Sequence, residues 1–252
     1  MLRCRAVIFD LDGTLVDAFA AVADALNTAR AAFGLPAQPL DAVRQQVGWG
    51  LADLLARSVG PERLPEATRL FEAHYAAHHL ERTRLLPGAE EALEDLARRG
   101  ARLGVASNKP PAFSHELLER LGVARHLGAI LGPGPGIPPK PDPAMLREGC
   151  ARLGAAPAET LYVGDMPLDV DSAARAGMPH LLVPTGAARA ADLARVPGAR
   201  VVRDLLDVAA LVEVADPLDG PRNRSSASGY DGLDGVSGAE YRVRRSCTRR
   251  SR

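Results

Sequence analysis

Two aspartates follow directly on a short apolar run near the start of the chain, in the segment Ala6-Val7-Ile8-Phe9-Asp10-Leu11-Asp12-Gly13. Such a run is typical of a strand that is buried on both faces in a parallel sheet. Asp10 and Asp12 would then lie at its exposed end, where two like charges repel unless a divalent metal offsets them. Gly13 allows a tight turn that brings backbone N–H groups close to an anionic ligand. Because Asp and Gly are also common in ordinary turns, this segment alone leaves both interpretations open.

Three further polar segments follow apolar or proline-rich stretches. Ser107 and Asn108 come after a predicted strand, where a hydroxyl and free backbone N–H groups can bind a phosphoryl oxygen. Lys140 lies between prolines, which fix the starting point of its long side chain. Asp165 follows another predicted strand, and Asp169 comes four residues later at the start of a helix. Each segment also has an ordinary interpretation as a turn, a solvated lysine or a helix N-terminal acid, so their combination carries the argument.

Together the four segments resemble the four motifs of the haloacid dehalogenase superfamily in its phosphatase form. The likeness extends over about residues 6–212. The segments that carry it are Asp10-Leu11-Asp12-Gly13-Thr14, Ser107-Asn108-Lys109-Pro110, Lys140-Pro141-Asp142-Pro143 and Gly164-Asp165-Met166-Pro167-Leu168-Asp169.

The resemblance implies a role for each motif residue. Asp10 would attack phosphorus and form an aspartyl-phosphate, while Asp12 would protonate the leaving oxygen and then activate water. Mg²⁺ would be the cofactor, held by Asp10, Asp165 and the backbone carbonyl of Asp12. The phosphate would be bound by Ser107, Asn108 and Lys140, with Asp169, Gly13 and Thr14 in supporting positions.

Several branches of the superfamily fit this chain poorly. Its dehalogenases lack the second aspartate of the first motif, which Asp12 supplies here. Its phosphonatases need a lysine in the cap, and residues 17–85 contain none. The phosphomutases carry their own signatures after the first motif, which Ala18-Phe19-Ala20-Ala21-Val22 does not resemble. The resemblance therefore implies a phosphomonoesterase that acts on a small phosphorylated metabolite.

Two segments favour 2-phosphoglycolate as the substrate. Ser107-Asn108-Lys109-Pro110 is similar to the Thr-Asn-Lys-Pro of phosphoglycolate phosphatases, and Val47-Gly48-Trp49-Gly50-Leu51 resembles their cap segment. Trp49 and Lys109 are candidates for substrate specificity, although a lone tryptophan serves packing equally well. Sugar, amino-sugar and nucleotide phosphates and pyrophosphate stay open as substrates. A non-catalytic phosphate sensor is a more distant alternative, since such a protein would be expected to lack a catalytic residue.

The spacing of apolar residues predicts the elements that position these motifs. Residues 17–85 show helical spacing with no convincing strand, which predicts a small helical cap inserted after the first strand. Residues 1–16 and 86–215 would form an α/β core with a doubly wound, Rossmann-like parallel sheet, because strand and helix patterns alternate there. The predicted strands after the cap are 102–106, 129–131, 160–163, 181–183 and 200–202. In such sheets ligands bind beyond the carboxyl ends of the strands, where each motif falls.

The composition limits the partners of the protein. The 252 residues include 31 Lys and Arg and 31 Asp and Glu, so the net charge gives no argument for binding nucleic acid. No apolar run approaches the roughly 18 residues of a membrane span. The 3 cysteines are widely spaced and predict neither a disulfide framework nor a zinc site. We expect a cytoplasmic monomer or homodimer without membrane or nucleic-acid partners.

Residues 216–252 differ in character from the rest of the chain. They are rich in Arg, Ser and Gly and show little apolar spacing. Such a segment buries too little surface to offset its ordering entropy, so we expect a disordered, Arg-rich tail. An arm for nucleic acid is the weaker alternative for the same residues.

Overall fold

The computed structural model of the chain describes residues 1–215. The predicted tail at residues 216–252, with its nucleic-acid alternative, lies outside that range. The strands are β1 (Leu2–Cys4), β2 (Ala6–Phe9), β3 (Val16–Asp17), β4 (Arg84–Leu85), β5 (Arg102–Ala106), β6 (Leu127–Leu131), β7 (Thr160–Gly164), β8 (His180–Leu182) and β9 (Val212–Val214). The α-helices are α1 (Phe19–Ala32), α2 (Leu40–Arg44), α3 (Leu51–Val59), α4 (Leu64–His78), α5 (Ala89–Arg98), α6 (Pro111–Arg120), α7 (Ala144–Arg152), α8 (Pro167–Ala176), α9 (Ala190–Leu193) and α10 (Leu205–Leu211). Within the described range, none of these helices combines the length and apolarity that crossing a membrane requires.

Five strands form a central parallel sheet in the order β6, β5, β2, β7, β8. Numbered by their own chain order, these strands run third, second, first, fourth, fifth, which is the order of a doubly wound Rossmann-like fold. The order reverses between β2 and β7. Ligands bind in the crevice beyond the carboxyl ends of the strands at such a reversal. The predicted α/β fold class is confirmed.

Strand β2 is buried on both faces, as its apolar run predicts. Val7 and Phe9 belong to the hydrophobic cluster formed with α5, α6 and α10. Ala6 and Ile8 belong to the opposite cluster, formed with α7 and α8. Because a one-residue shift would exchange these two sets of side chains, the register of β2 is strongly determined. The position of Asp10 at its end is fixed by the same packing.

Helices α1 to α4 pack into a bundle with a hydrophobic cluster of its own. Phe19, Leu26 and Leu55 are fully buried in that cluster, and Tyr75 of α4 is 2% exposed. The cluster also contacts α6 of the core through Phe113. The predicted division into a core of residues 1–16 and 86–215 and a cap of residues 17–85 stays a proposal, and "cap" is used below for residues 17–85.

Three details of the predicted strands are wrong. Residues 200–202 form only an isolated bridge, between Val201 and Leu182, instead of a strand. The edges of the cap contain two short strands, β3 and β4, which pair antiparallel where the chain leaves and re-enters the core. The strands β1 and β9, neither of which is predicted from the sequence, pair in parallel with each other. Strands of two or three residues carry too little periodicity to be detected, and their partners are distant in the sequence.

Candidate active site

The acidic residues predicted from the sequence meet at the carboxyl ends of β2 and β7. Asp10 follows β2, Asp165 follows β7, and Asp169 lies in the first turn of α8. One carboxylate oxygen from each lies within 4.8 Å of those from the other two. All three residues are buried, with exposed fractions of 4% or less. The parallel pairing of β2 with β7 thus brings residues that are more than 150 positions apart in the sequence into one acidic cluster.

Lys140 is the buried cation of this acidic cluster. Its Nζ lies 3.0 Å from Asp10 Oδ1 and 2.8 Å from Asp169 Oδ1. It also donates a hydrogen bond of 2.8 Å to the hydroxyl of Tyr162 on β7. That hydroxyl lies 3.0 Å from the carbonyl oxygen of Ala106, at the end of β5. Sequence analysis identifies Lys140 but misses Tyr162, because a tyrosine inside an apolar strand gives no sign of where its hydroxyl points.

Burial and repulsion from neighbouring carboxylates favour the protonated forms of Asp10 and Asp165. Burial raises the pKa of Asp10 to about 6, with repulsion from Asp169 adding to the rise and attraction to Lys140 opposing it. Burial, followed by repulsion from Asp169 and Asp10, holds the pKa of Asp165 well above its usual value. Burial also works to lower the pKa of Lys140, but attraction to Asp10 and Asp169 outweighs it and the pKa is raised. One ammonium therefore faces three carboxylates, and a divalent cation would remove this imbalance.

Asp165 is held in one orientation by a tightly packed shell of small residues. Thr14 Oγ1 donates to Asp165 Oδ1 at 3.1 Å, and the backbone N–H of Ala187 donates to Oδ2 at 3.2 Å. A Cβ on Gly186 would lie 1.6 Å from Asp165 Oδ2, and one on Gly13, whose φ is +88°, would lie 2.6 Å from it. The predicted supporting residues Gly13 and Thr14 thus contact Asp165 directly. Sequence analysis misses Gly186 and Ala187, since a turn of small residues after β8 has no distinctive pattern.

Asp169 uses both carboxylate oxygens within the protein. Its Oδ2 accepts hydrogen bonds from the backbone N–H groups of Asp165 at 3.1 Å and Met166 at 3.0 Å. Its Oδ1 accepts the bond from Lys140. The hydroxyl of Tyr162 also lies 3.2 Å from Oδ1, so Asp169 has fewer lone pairs left for a metal than Asp165, which accepts one hydrogen bond on each oxygen. This geometry favours the predicted supporting role of Asp169, which stays a prediction.

The side chain of Asp12 lies outside the acidic cluster and pairs with Lys109. The Nζ of Lys109 lies 3.0 Å from Asp12 Oδ1 and 2.8 Å from Oδ2. Burial works to lower the pKa of Lys109, but attraction to Asp12 and Tyr75 outweighs it and raises the pKa above its usual value. Lys109 is therefore charged at neutral pH. The two aspartates of the first motif thus have different surroundings, since Asp10 faces Lys140 and Asp12 faces Lys109.

Ser107 and Asn108 follow β5, next to the strand that carries Asp10, and both are buried. A hydrogen bond from Ser107 opposes the rise in the pKa of Asp10. The side-chain amide of Asn108 donates to the carbonyl oxygens of Gly48, at 3.0 Å, and Lys140, at 3.2 Å. The side-chain oxygen of Asn108 accepts from the backbone N–H of Lys140 at 2.7 Å. The side chain of Asn108 therefore joins a cap loop to the lysine loop, which leaves its backbone N–H for the predicted phosphate contact.

A cleft opens between the motif residues and the cap, with a volume of about 570 Å³ that includes the solvent at its mouth. Asp10, Asp12 and Ser107 line it from the core, and Tyr75 lines it from the cap. Sequence analysis does not identify Tyr75. Trp49 is absent from the lining of this cleft and is 44% exposed, although its two neighbouring glycines line the cleft. The role of Trp49 in substrate specificity stays a prediction. Its exposure does not support the alternative that Trp49 serves to pack the interior of the protein.

Comparison with known proteins identifies the family. The sequence model of the family described as haloacid dehalogenase-like hydrolase matches residues 7–183, which is more than half of the chain. The chain belongs to this family. The membership confirms the resemblance found in the sequence and, with it, the prediction of an enzyme of the phosphatase type.

Two relatives and a solved structure illustrate the likeness. The chain is 41% identical over 198 residues to a phosphoglycolate phosphatase of Rhodospirillum rubrum, covering 73% of this chain and 81% of the relative. It is 33% identical over 219 residues to an N-acetylmuramic acid 6-phosphate phosphatase of Pseudomonas aeruginosa, covering 82% and 95%. The crystal structure of a predicted phosphoglycolate phosphatase from Haemophilus somnus superposes with a TM-score of 0.71 at 26% identity, covering 81% and 96%.

The site of this haloacid dehalogenase-like hydrolase contains the groups that phosphoryl transfer requires. A buried carboxylate, Asp10, lies beside an ammonium, Lys140, and a hydroxyl, Ser107, that can contact the oxygens of a phosphoryl group. A second carboxylate, Asp12, lines the same cleft on the side of Lys109. The acidic cluster adds oxygen ligands of the kind that Mg²⁺ prefers.

Proposed function

We propose that the protein is a Mg²⁺-dependent phosphomonoesterase with 2-phosphoglycolate as its substrate. The observation that carries the chemistry is the meeting of Asp10, Ser107 and Lys140 in one buried site beyond the ends of adjacent strands. The similarity to phosphoglycolate phosphatases supports the choice of substrate.

Asp10 acts as the nucleophile in this proposal. One of its oxygens bonds to phosphorus while the ester P–O bond breaks, which gives an aspartyl-phosphate. The leaving oxygen takes a proton from Asp12 as the bond breaks. Asp12, now a carboxylate, takes a proton from a water molecule whose oxygen attacks phosphorus. Phosphate leaves, and Asp10 and Asp12 return to their initial states.

The remaining polar residues hold the phosphoryl group and the nucleophile in place. Asp169 and Tyr162 fix the position of Lys140 through two hydrogen bonds. Its third N–H, which lies near Asp10, turns to a phosphoryl oxygen when the substrate binds. Ser107 and the backbone N–H of Asn108 bind further phosphoryl oxygens. Because these donors are preorganised in a buried site, they stabilise the developing charge without large rearrangement.

The acidic cluster fits a magnesium site. Asp10, Asp165 and the backbone carbonyl of Asp12 would hold the ion. Each oxygen of Asp165 accepts one hydrogen bond and keeps a lone pair, whereas Asp169 accepts two backbone bonds on one oxygen and the bond from Lys140 on the other. Mg²⁺, when bound, neutralises charge on the acids and on the transferring phosphoryl group. The tight contacts of Gly186 and Thr14 on Asp165 keep that ligand oriented.

A phosphate ester of an amino-sugar acid is the second candidate substrate. It is favoured by the similarity to the N-acetylmuramic acid 6-phosphate phosphatase, which extends over 95% of that relative. Other sugar phosphates, nucleotides and pyrophosphate belong in the same comparison. The sensor alternative predicts that none of them is hydrolysed.

Phosphate release from this panel, with Mg²⁺ or with EDTA, tests the proposal. We expect Mg²⁺-dependent release with 2-phosphoglycolate preferred, and loss of turnover in Asp10→Asn with an unchanged far-UV circular dichroism spectrum. The matched substitution Asp41→Asn, at an exposed position of the cap, should retain turnover. Preference for another phosphate would keep the chemistry and refute the substrate, and no release from any of them would favour the sensor.

A further inference from the structure

Lys109 is a cation in the cleft that has no role in the proposed mechanism. Among the described residues that line the cleft, Lys109 is the one cationic side chain, and Lys140 is not part of the lining. The side chain of Lys109 is 5% exposed. An ammonium has three N–H donors, and Asp12 offers Lys109 two oxygens, at 3.0 and 2.8 Å. Within residues 1–215, the third donor has no hydrogen bond of good geometry.

Tyr75 places a second polar group beside Lys109. The Nζ of Lys109 lies 4.9 Å from the centre of the Tyr75 ring. Tyr75 is 2% exposed, and within residues 1–215 its hydroxyl forms no hydrogen bond of acceptable geometry. Burial raises the pKa of Tyr75, while the charge of Lys109 and a hydrogen-bonding interaction between the two side chains oppose the rise. A buried hydroxyl without a partner is unfavourable, so a ligand that accepts its hydrogen bond would be stabilised.

Packing fixes the position of the Tyr75 ring. It stacks on Phe71 with ring centres 5.4 Å apart, and it contacts the edge of Phe113 at 5.0 Å. His79 also stacks with it, with ring centres 4.8 Å apart. Because the ring cannot turn without breaking these contacts, its hydroxyl is a preorganised donor.

The rest of the cap side of the cleft is apolar. Val22, Val47, Leu51, Leu54 and Phe71 form this wall. The hydroxyl groups of a sugar would lose hydrogen bonds to water against such a surface, which is unfavourable. An anionic group with two acceptor oxygens would instead find one ammonium and one hydroxyl donor. A carboxylate has this chemistry.

We propose that Lys109 and Tyr75 form a subsite for a carboxylate on the leaving group of the substrate. Lys109 binds one oxygen with its third N–H, and the Tyr75 hydroxyl donates to the other. The inference rests on the proposed phosphatase function, in which Asp12 protonates the ester oxygen. Because Lys109 touches Asp12 directly, the carboxylate belongs on the carbon that carries this oxygen. The subsite thus selects 2-phosphooxy carboxylates over phosphate esters of the same size whose leaving group carries no charge.

The preference of the enzyme for an ester with a carboxylate over one without it tests this subsite, and we express this preference as a selectivity ratio. It is the kcat/KM for 2-phosphoglycolate divided by that for ethyl phosphate, which lacks the carboxylate. We expect Lys109→Met to lower the ratio about 100-fold, as for loss of a hydrogen bond to a charged group, and Tyr75→Phe to lower it about 10-fold. Arg57→Met, which removes a half-exposed cation of the cap, is the matched control and should leave the ratio unchanged.

Inhibition of the wild-type protein provides a test that needs no variant. The non-hydrolysable 3-phosphonopropionate, which carries the carboxylate, should inhibit at least about 10-fold more strongly than propylphosphonate, which lacks it. Equal inhibition would overturn the subsite. An equal loss of activity on both esters in Lys109→Met would also overturn it, because Lys109 would then act only through Asp12. Failure of the proposed function is a separate result, in which the wild type does not hydrolyse 2-phosphoglycolate.

Discussion

Replacing Asp10 by asparagine should stabilise the metal-free protein, and the gain should grow as the pH rises. Asp10 is buried beside Asp169, and burial is the main reason that its pKa is about 6. Asparagine has nearly the same shape and carries no charge at any pH. The substitution therefore removes the cost of ionising a buried carboxyl group while the packing around it is kept.

The size of the effect follows from the pKa of Asp10. It rises from the ordinary value of 3.8 to about 6 in the folded protein. Each pKa unit corresponds to about 1.4 kcal/mol, so ionising Asp10 lowers the free energy of unfolding by about 3 kcal/mol. Between these two pKa values the folded chain holds a proton that the unfolded chain has released. The wild type must therefore lose stability relative to the variant as the pH rises from about 4 to about 6.

The ionisation of Asp165 also contributes to the difference in stability, with the same sign as that of Asp10. Repulsion from Asp10 contributes to the raised pKa of Asp165, after burial and the repulsion from Asp169. Removing the charge of Asp10 lowers this repulsion, so ionised Asp165 becomes less unfavourable in the variant. The gap in stability at neutral pH should therefore be at least as large as Asp10 alone predicts.

Urea unfolding in EDTA, followed by circular dichroism from pH 4 to pH 7.5, measures this gap. The difference in free energy of unfolding, variant minus wild type, should increase by about 3 kcal/mol across this range. Asp41→Asn, at an exposed position on α2, is the matched control and should show no gap of that size. Adding Mg²⁺ should narrow the gap, because binding to the folded wild type stabilises it by about 2.7 kcal/mol at 100 times the Kd.

The opposite sign would refute the reasoning. If the ion pair with Lys140 outweighed burial, the pKa of Asp10 would lie below its ordinary value. The wild type would then gain stability relative to the variant as the pH rises. A gap that grows with pH in EDTA but does not narrow with Mg²⁺ would support the burial argument and contradict the metal site.

Two further substitutions test the residues around the acidic cluster. Gly186→Ala should lower kcat/KM at least about 100-fold and weaken Mg²⁺ binding, because its Cβ would lie 1.6 Å from Asp165 Oδ2. Gly134→Ala, whose Cβ meets no atom within 4 Å, is its control, and equal activity of the two variants would contradict the packing argument. Tyr162→Phe should lower kcat about 10-fold, since it leaves one N–H of buried Lys140 unpaired. Unchanged kcat and unfolding free energy would show that Lys140 does not need this partner.

The site residues at strand ends can be predicted from the sequence because the topology of the sheet determines where they meet. Asp10, Ser107 and Asp165 each follow a short apolar run, and parallel strands place their carboxyl ends at one edge of the sheet. No distances are needed for this inference. Recognising the strands and their shared direction is sufficient to predict that these residues meet.

Residues whose roles depend on packing could not be predicted in the same way. Tyr162 belongs to an apolar strand, and only the three-dimensional position of Lys140 gives its hydroxyl a function. Tyr75 belongs to the apolar stripe of α4, and its contact with Lys109 depends on how the cap packs against α6. Gly186 is explained only by the close approach of Asp165.

The two lysines show why the chain keeps this residue type at the site while using arginine almost everywhere else. Of the 31 basic residues, Lys109 and Lys140 are the lysines. Lys140 has three N–H donors and three partners, Asp10, Asp169 and Tyr162. A guanidinium has five donors in a planar fork, so in this buried space it would leave N–H groups unpaired. Lys109 has the same three donors and contacts the two oxygens of Asp12, and its remaining neighbour is Tyr75 of the cap. The partners of Lys140 thus hold it beside the nucleophile Asp10, where it meets the phosphoryl group, while Lys109 lies on the side of the leaving group.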